Sequence, residues 1–171
     1  MHMADALISP AVGIAGWAGA AAVAAYAAAK LKKTATLEKT VPMMAVLGAF
    51  VFAAQMINFS IPGTGSSGHL GGGLLLSILL GPHAAFLALT SVLTVQALFF
   101  ADGGLLALGC NILNMAAVSC YLVYPLIFKP LAGQNNSGTR RWLAMVLAAV
   151  INGALGAFGV VLETTVSGIS E

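Results

Sequence analysis

The chain opens Met1-His2, and that pair can do chemistry at a free terminus. Methionine is removed when the second residue is small, so the bulky His2 predicts that Met1 stays, with a free amine once any formyl group is gone. The Met1 amine, the His2 backbone nitrogen and the His2 imidazole Nδ1 can then close one five-membered and one six-membered chelate ring on a single ion. A fourth nitrogen, from His69, would complete a square-planar set suited to Ni²⁺ or Cu²⁺, with Co²⁺ accepted at more strain. Magnesium, calcium and manganese are disfavoured because they seek oxygen ligands. Ligation by a backbone amide requires its proton to leave, so acid should weaken binding. The plain alternative is that almost every protein starts with Met and that His2 is there by chance.

Other polar residues are weighed against structural roles. Asp5 is placed to accept from the His2 ring or simply to be solvated. Asn111 and Asn114, i and i+3 on one helix face, suit hydrogen bonds to the terminus or loop, or between helices, and Gln96 is similar. His83, directly after Pro82 at an expected helix start, reads as an interfacial structural residue. Cys110 and Cys120 lie ten residues apart in one apolar stretch, roughly 15 Å along a helix, so they cannot pair with each other and read as buried apolar side chains. Gly63-x-Gly65-x-x-Gly68 matches a dinucleotide fingerprint by letters but lacks a preceding strand, a βαβ unit and a following acid. Without a Walker motif, any ATP-driven work must come from another subunit. No Ser/His/Asp or Cys/His constellation and no carboxylate pair is set for catalysis, so no enzyme is expected.

The elements that must position these residues are membrane spans. Hydrophobic residues make up 60% of the 171 and charged ones only 7%, far from soluble averages. The formal charge of +2, from 7 basic and 5 acidic residues, is too small for a nucleic-acid surface. No basic region precedes the first apolar run, so a cleaved signal peptide is not expected. Ser9-Pro10 reads as a helix N-cap with proline at the first helical position, opening a run to Ala29 that lysines close. Further runs cover 42–60, 71–80, 83–101, 105–128 and 142–162, with a polar linker at 129–141 and a tail at 163–171. Residues 61–73 hold six glycines in thirteen positions and read as a loop whose small residues let the backbone fold inward between helices.

Charge bias decides the count. All seven basic residues (Lys30, Lys32, Lys33, Lys39, Lys129, Arg140 and Arg141) occupy two loops, which the positive-inside rule assigns to the cytoplasm. Treating 71–80 and 83–101 as separate spans puts both loops on one side, whereas one kinked span would split them. The expectation is an all-α, polytopic transmembrane bundle of six spans, a single domain over 1–171, with both termini outside and the short span needing help from flanking residues. His2 and His69 then share the outer side, while His83 lies inside. In the first span Ala20, Ala24 and Ala28 follow a small-xxx-small spacing, suited either to internal packing or to docking a partner.

MHMADALISP at the start, PGTGSSGHLGGGLLLSILLGPHAAF in the middle and FADGGLLALGCNILNMA after it closely resemble the CbiM/NikM family, the substrate-specificity components of energy-coupling-factor (ECF) transporters for cobalt and nickel. The resemblance covers most of the chain. It implies that Met1, His2 and His69 ligate the transported Ni²⁺ or Co²⁺ in a prokaryotic plasma membrane. It also implies a transmembrane coupling protein (T component), two ATPase subunits and, in many systems, a small accessory membrane protein. The loaded subunit is expected to topple and open its site inward, with Ala20, Ala24 and Ala28 as the docking face. The family usually has seven spans, so six imply a truncated or incompletely ordered form of a longer chain, which bears on partner coupling more than on binding. Nickel is favoured over cobalt by the planar preference. A membrane metal sensor or metalloenzyme would need an open coordination position and a general base, neither of which is visible. A helical scaffold with no ligand is the third alternative.

Overall fold

The structure is a computed structural model in which residues 2–61, 66–133 and 138–168 are described. After a short 3₁₀ turn at Asp5–Leu7, it forms helices α1 (Pro10–Leu31) and α2 (Leu37–Gln55), then strands β1 (Phe59–Ile61) and β2 (Ser66–Gly68). Helices α3 (Gly73–Leu80), α4 (Pro82–Phe99), α5 (Leu108–Ala132) and α6 (Gly138–Ser167) follow. The helix at Ser9-Pro10 begins as expected, with the Ser9 side chain accepting from the Val12 amide at 3.4 Å. By contrast, α2 begins five residues ahead of Pro42, which sits inside it. Proline at the sixth helical position removes the amide that would bond the Glu38 carbonyl, so the first turn of α2 is tied to the rest of the helix by one bond fewer.

Five helices, α1, α2, α4, α5 and α6, are long and apolar enough to cross a membrane. The eight residues of α3 extend only about 12 Å at 1.5 Å per residue, so the sixth expected span is a half-length element. It reaches its depth with the irregular chain ahead of it. Gly72 (φ 79°) sits where an added Cβ would meet the Val51 side chain, and one added to Gly73 would lie 2.8 Å from the Met115 carbonyl oxygen. The glycines thus let bare backbone descend between α2 and α5, where protein rather than lipid surrounds it. Gly81 (φ 79°) separates α3 from α4, and the two helices pack against each other.

At the centre, α4 is packed by α1, α2, α3 and α5, around a core that includes Val51, Leu76, Phe86, Leu89, Leu93 and Met115. The outer helices α2 and α6 leave most of their apolar surface exposed, as lipid-facing helices do. Residues Leu113–Phe128 of α5 are π-helical, and the Lys129 amide reaches the carbonyl of Tyr124, five residues back. Pro125 lies in this stretch, whose wider winding already departs from the regular ladder that a proline breaks.

Three expectations need correction. The glycine-rich loop is not wholly irregular, since β1 and β2 pair antiparallel with Phe59 opposite Gly68. A strand therefore does precede the Gly63–Gly68 letters, but its partner is antiparallel and adjacent in sequence, so it founds no dinucleotide unit; residues 62–65 lie outside the described residues. Glu163 belongs to α6 rather than to a tail. Finally, the Ala20, Ala24 and Ala28 face turns into the bundle, with Ala20 in the core and Ala24 packed against it. The exposed alanines of α1 are Ala11, Ala15, Ala18, Ala21, Ala22, Ala25 and Ala29, on the rest of the helix surface.

Candidate metal-capture site

The N-terminal segment is drawn into the bundle rather than left in solvent. Met3 and Ile8 are 2% and 3% exposed and cluster with Ala107 and Cys110. Asn111 holds the backbone of Met3 from both sides, its Oδ1 accepting from the Met3 amide at 2.9 Å and its Nδ2 donating to the Met3 carbonyl at 3.2 Å. The Gly104 amide also donates to that carbonyl, at 2.9 Å. Of the roles open to Asn111, the structure therefore realises contact with the terminus. Asn114 does something else: its Nδ2 donates to Glu163 Oε2 at 2.7 Å, joining α5 to α6 away from the terminus. Asp5 likewise does not reach the His2 ring; its carboxylate accepts from the Ala107 amide at 2.9 Å and caps the start of α5.

The acid beside His2 is Asp102, with Oδ1 3.0 Å from Nδ1 of the ring. Asp102 is not among the residues expected at the site. The signal was its setting, Ala-Asp-Gly-Gly between two spans, because left-handed backbone flanks it. Ala101 (φ 52°) and Gly103 (φ 94°) lie on either side, a sharp turn that aims the carboxylate at the terminus. A non-glycine residue with positive φ is uncommon and is held only where its surroundings over-determine it. At Gly103 an added Cβ would come within 3.3 Å of His2 Cβ, and at Gly104 it would fall on the Asp5 carboxylate. The terminus can lie here only because this turn has no side chains in the way.

His69 follows β2, and its ring stacks on that of His2 with centroids 4.9 Å apart and planes 5° from parallel. Its Nδ1 lies 3.0 Å from the Leu70 carbonyl; donation there fixes the tautomer in which Nε2 carries the lone pair. The His2 side chain is 5% exposed, and its Nε2 is buried without a hydrogen-bond partner among the described residues. Burial pushes the His2 pKa down to about 4, against the opposing pull of Asp102 and with further lowering from His69. Burial also lowers that of His69. Both imidazoles are thus neutral at pH 7, the form that ligates metal. Met1, the other expected ligand, lies outside the described residues.

His83 stands apart from this site. Its Nδ1 is 3.0 Å from the Tyr121 hydroxyl and its ring meets Tyr26 edge-on at 5.5 Å, where Lys30 also lies over Tyr26. That is the lysine-bearing end of the bundle, so two of the three histidines meet and the third does not, as the span count required. Cys110 and Cys120 are buried and unpaired as thiols.

The sequence pattern described as "Cobalt uptake substrate-specific transmembrane region" matches residues 2–171. The chain belongs to the CbiM family. A putative metal transport protein of Haloquadratum walsbyi is 38% identical over 174 residues, covering 98% of this chain and 78% of that protein. A putative fused nickel transport protein, NikMN, of Archaeoglobus fulgidus is 43% identical over 119 residues. That match takes in 68% of this chain and only 40% of the fused protein. Among solved structures, a truncated transition metal transporter superposes with a TM-score of 0.83 at 34% identity, covering 96% of this chain and 74% of that one. This CbiM-family chain is accordingly a multi-pass membrane component of nickel/cobalt transport type and not an enzyme, consistent with work inside a transporter complex.

Proposed function

We propose that this CbiM-family chain is the substrate-binding subunit of an ATP-driven ECF-type uptake transporter, and that it captures Ni²⁺ from outside through its free N-terminus and His69. The observation that carries the reading is the stacking of the His2 and His69 rings at 4.9 Å, beside a terminus that Asn111 holds in place. The Met1 amine, the His2 backbone nitrogen and Nδ1, and His69 Nε2 make up the planar nitrogen set. Taking up the ion through His2 Nδ1 means breaking the 3.0 Å contact to Asp102, and the carboxylate left alongside offsets part of the cation's charge. The coupling protein, two ATPase subunits and an accessory membrane protein complete the transporter; with the inner alanine face used in packing, the outward alanines of α1 are the small-residue surface left for docking.

Cobalt is the second reading, favoured by the family's description as a cobalt-uptake region; a planar four-nitrogen field still favours Ni²⁺. The deciding experiment titrates the full chain in detergent with Ni²⁺ and Co²⁺ while recording absorption. The wild type should bind nickel as a planar, low-spin complex, and N-terminal acetylation or one added leading residue should abolish that complex. Unchanged affinity after either modification would refute the chelate.

A further inference from the structure

Gln55 at the end of α2 and Gln96 in the last turn of α4 are both fully buried, at 0% exposure. Their side chains meet, with Gln96 Nε2 donating to Gln55 Oε1 at 2.9 Å. Gln55 Nε2 then donates to the carbonyl of Gly71 at 2.9 Å, two residues beyond His69 and where the chain turns inward at Gly72 (φ 79°). On the other side, the Gln96 backbone carbonyl accepts from the amides of Phe100 at 3.1 Å and Asp102 at 3.2 Å. Asp102 in turn contacts His2. One run of hydrogen bonds therefore passes from the His69 loop through both glutamines to the turn that faces His2.

Packing alone does not call for these amides. Helix association in a bilayer draws on interhelical hydrogen bonds as well as close packing, but an apolar pair would fill the same space without stranding a polar atom. Here Gln96 Oε1 is buried with no hydrogen-bond partner among the described residues, a cost that an aliphatic side chain would avoid. What an aliphatic residue could not do is hold the Gly71 carbonyl, which belongs to irregular backbone inside the bundle.

We propose that the Gln55–Gln96 pair is a positioning device: it sets the separation between the His69 loop and the Asp102 turn that faces His2, and so presents His69 as the fourth ligand. This rests on the nickel-capture reading above. Gln55 touches neither histidine and acts through the loop it tethers. Without its amide, the Gly71 carbonyl loses its donor and the His69 loop relaxes away from the terminus, leaving solvent to fill the fourth position.

The test titrates the full chain in detergent with Ni²⁺, reading both affinity and the ligand-field absorption of the bound ion. Gln55→Met keeps the side-chain volume and removes the amide; Gln55→Asn keeps the amide but is one methylene too short to span both partners. Each is expected to retain helix content and to bind nickel roughly 10- to 100-fold more weakly, the range for residues that orient ligands. The absorption should move to longer wavelength, toward that of His69→Ala, because water gives a weaker field than imidazole. Wild-type affinity and spectrum in both variants would overturn the proposal, as would lowered thermal stability with an unchanged spectrum. Should Gln55→Met not fold, Gln55→Asn decides alone. If the wild type binds no nickel, or His69→Ala binds as tightly as wild type, it is the capture reading that fails.

Discussion

Replacing Asn111 with alanine should undock the N-terminal segment while leaving the bundle folded. Asn111 is 2% exposed and makes two hydrogen bonds to the backbone of one residue, Met3, at 2.9 Å and 3.2 Å. The Met3 carbonyl would keep its bond from the Gly104 amide, but the Met3 amide would be left without its acceptor. An orphaned buried donor together with one further lost bond costs about 2–3 kcal/mol. That shifts the docked–undocked equilibrium by roughly 30- to 150-fold. Only the docked segment presents the terminal nitrogens beside His69, so nickel affinity is expected to fall by up to the same factor. Calorimetric titration of the detergent-solubilised chain measures the drop, and hydrogen exchange at the Met3 amide reports undocking directly. Asn114→Ala is the matched control, since that amide binds Glu163; it should cost stability and leave affinity alone. A folded Asn111→Ala protein with wild-type nickel affinity and a protected Met3 amide would refute the reasoning.

Gly109→Ala should force α1 and α5 apart, because the new Cβ would fall on backbone atoms of Gly16 and Trp17. A loss of about 1–3 kcal/mol is expected, read as a lower unfolding temperature in detergent; an unchanged transition would contradict the contact. The His2 ring has a folded-state pKa of about 4, depressed by burial, against about 6.5 when unfolded. Its contribution to metal-free stability is therefore fully present above pH 6.5 and is lost as the pH falls through about 4. His2→Ala should flatten that part of the stability–pH curve, and an identical slope in both proteins would count against the burial.

Much of this arrangement was legible in the chain, and the reasons differ by residue. Ser9-Pro10 marks a helix start because capping is local chemistry, and the structure begins α1 there. The grouping of seven basic residues into two loops was enough to bring His2 and His69 to one end and send His83 to the other. Asp102 was not recognised, since its role depends on backbone handedness at Ala101 and Gly103, which letters suggest only through the glycine. For the alanine face of α1, internal packing and partner docking both stayed open, because alanines occupy both sides of that helix and periodicity cannot say which side is covered. The Gln55–Gln96 contact joins residues 41 apart, a tertiary pairing that no local pattern encodes. The π-wound stretch of α5 was invisible for a similar reason, as its residues suit an α-helix equally well.

The Gly16–Gly109 approach has a consequence for how the site withstands change. Backbone meets backbone there: an added Cβ at Gly16 would lie 2.9 Å from the Cys110 amide nitrogen. The register between α1, which carries the terminus at its head, and α5, which carries Asn111, is thus set by main chain rather than by interlocking side chains. A joint of that kind has no compressible layer. Apolar substitutions elsewhere along the two helices are therefore expected to leave Asn111 in place relative to Met3, insulating the proposed capture site from drift in the lipid-facing surface.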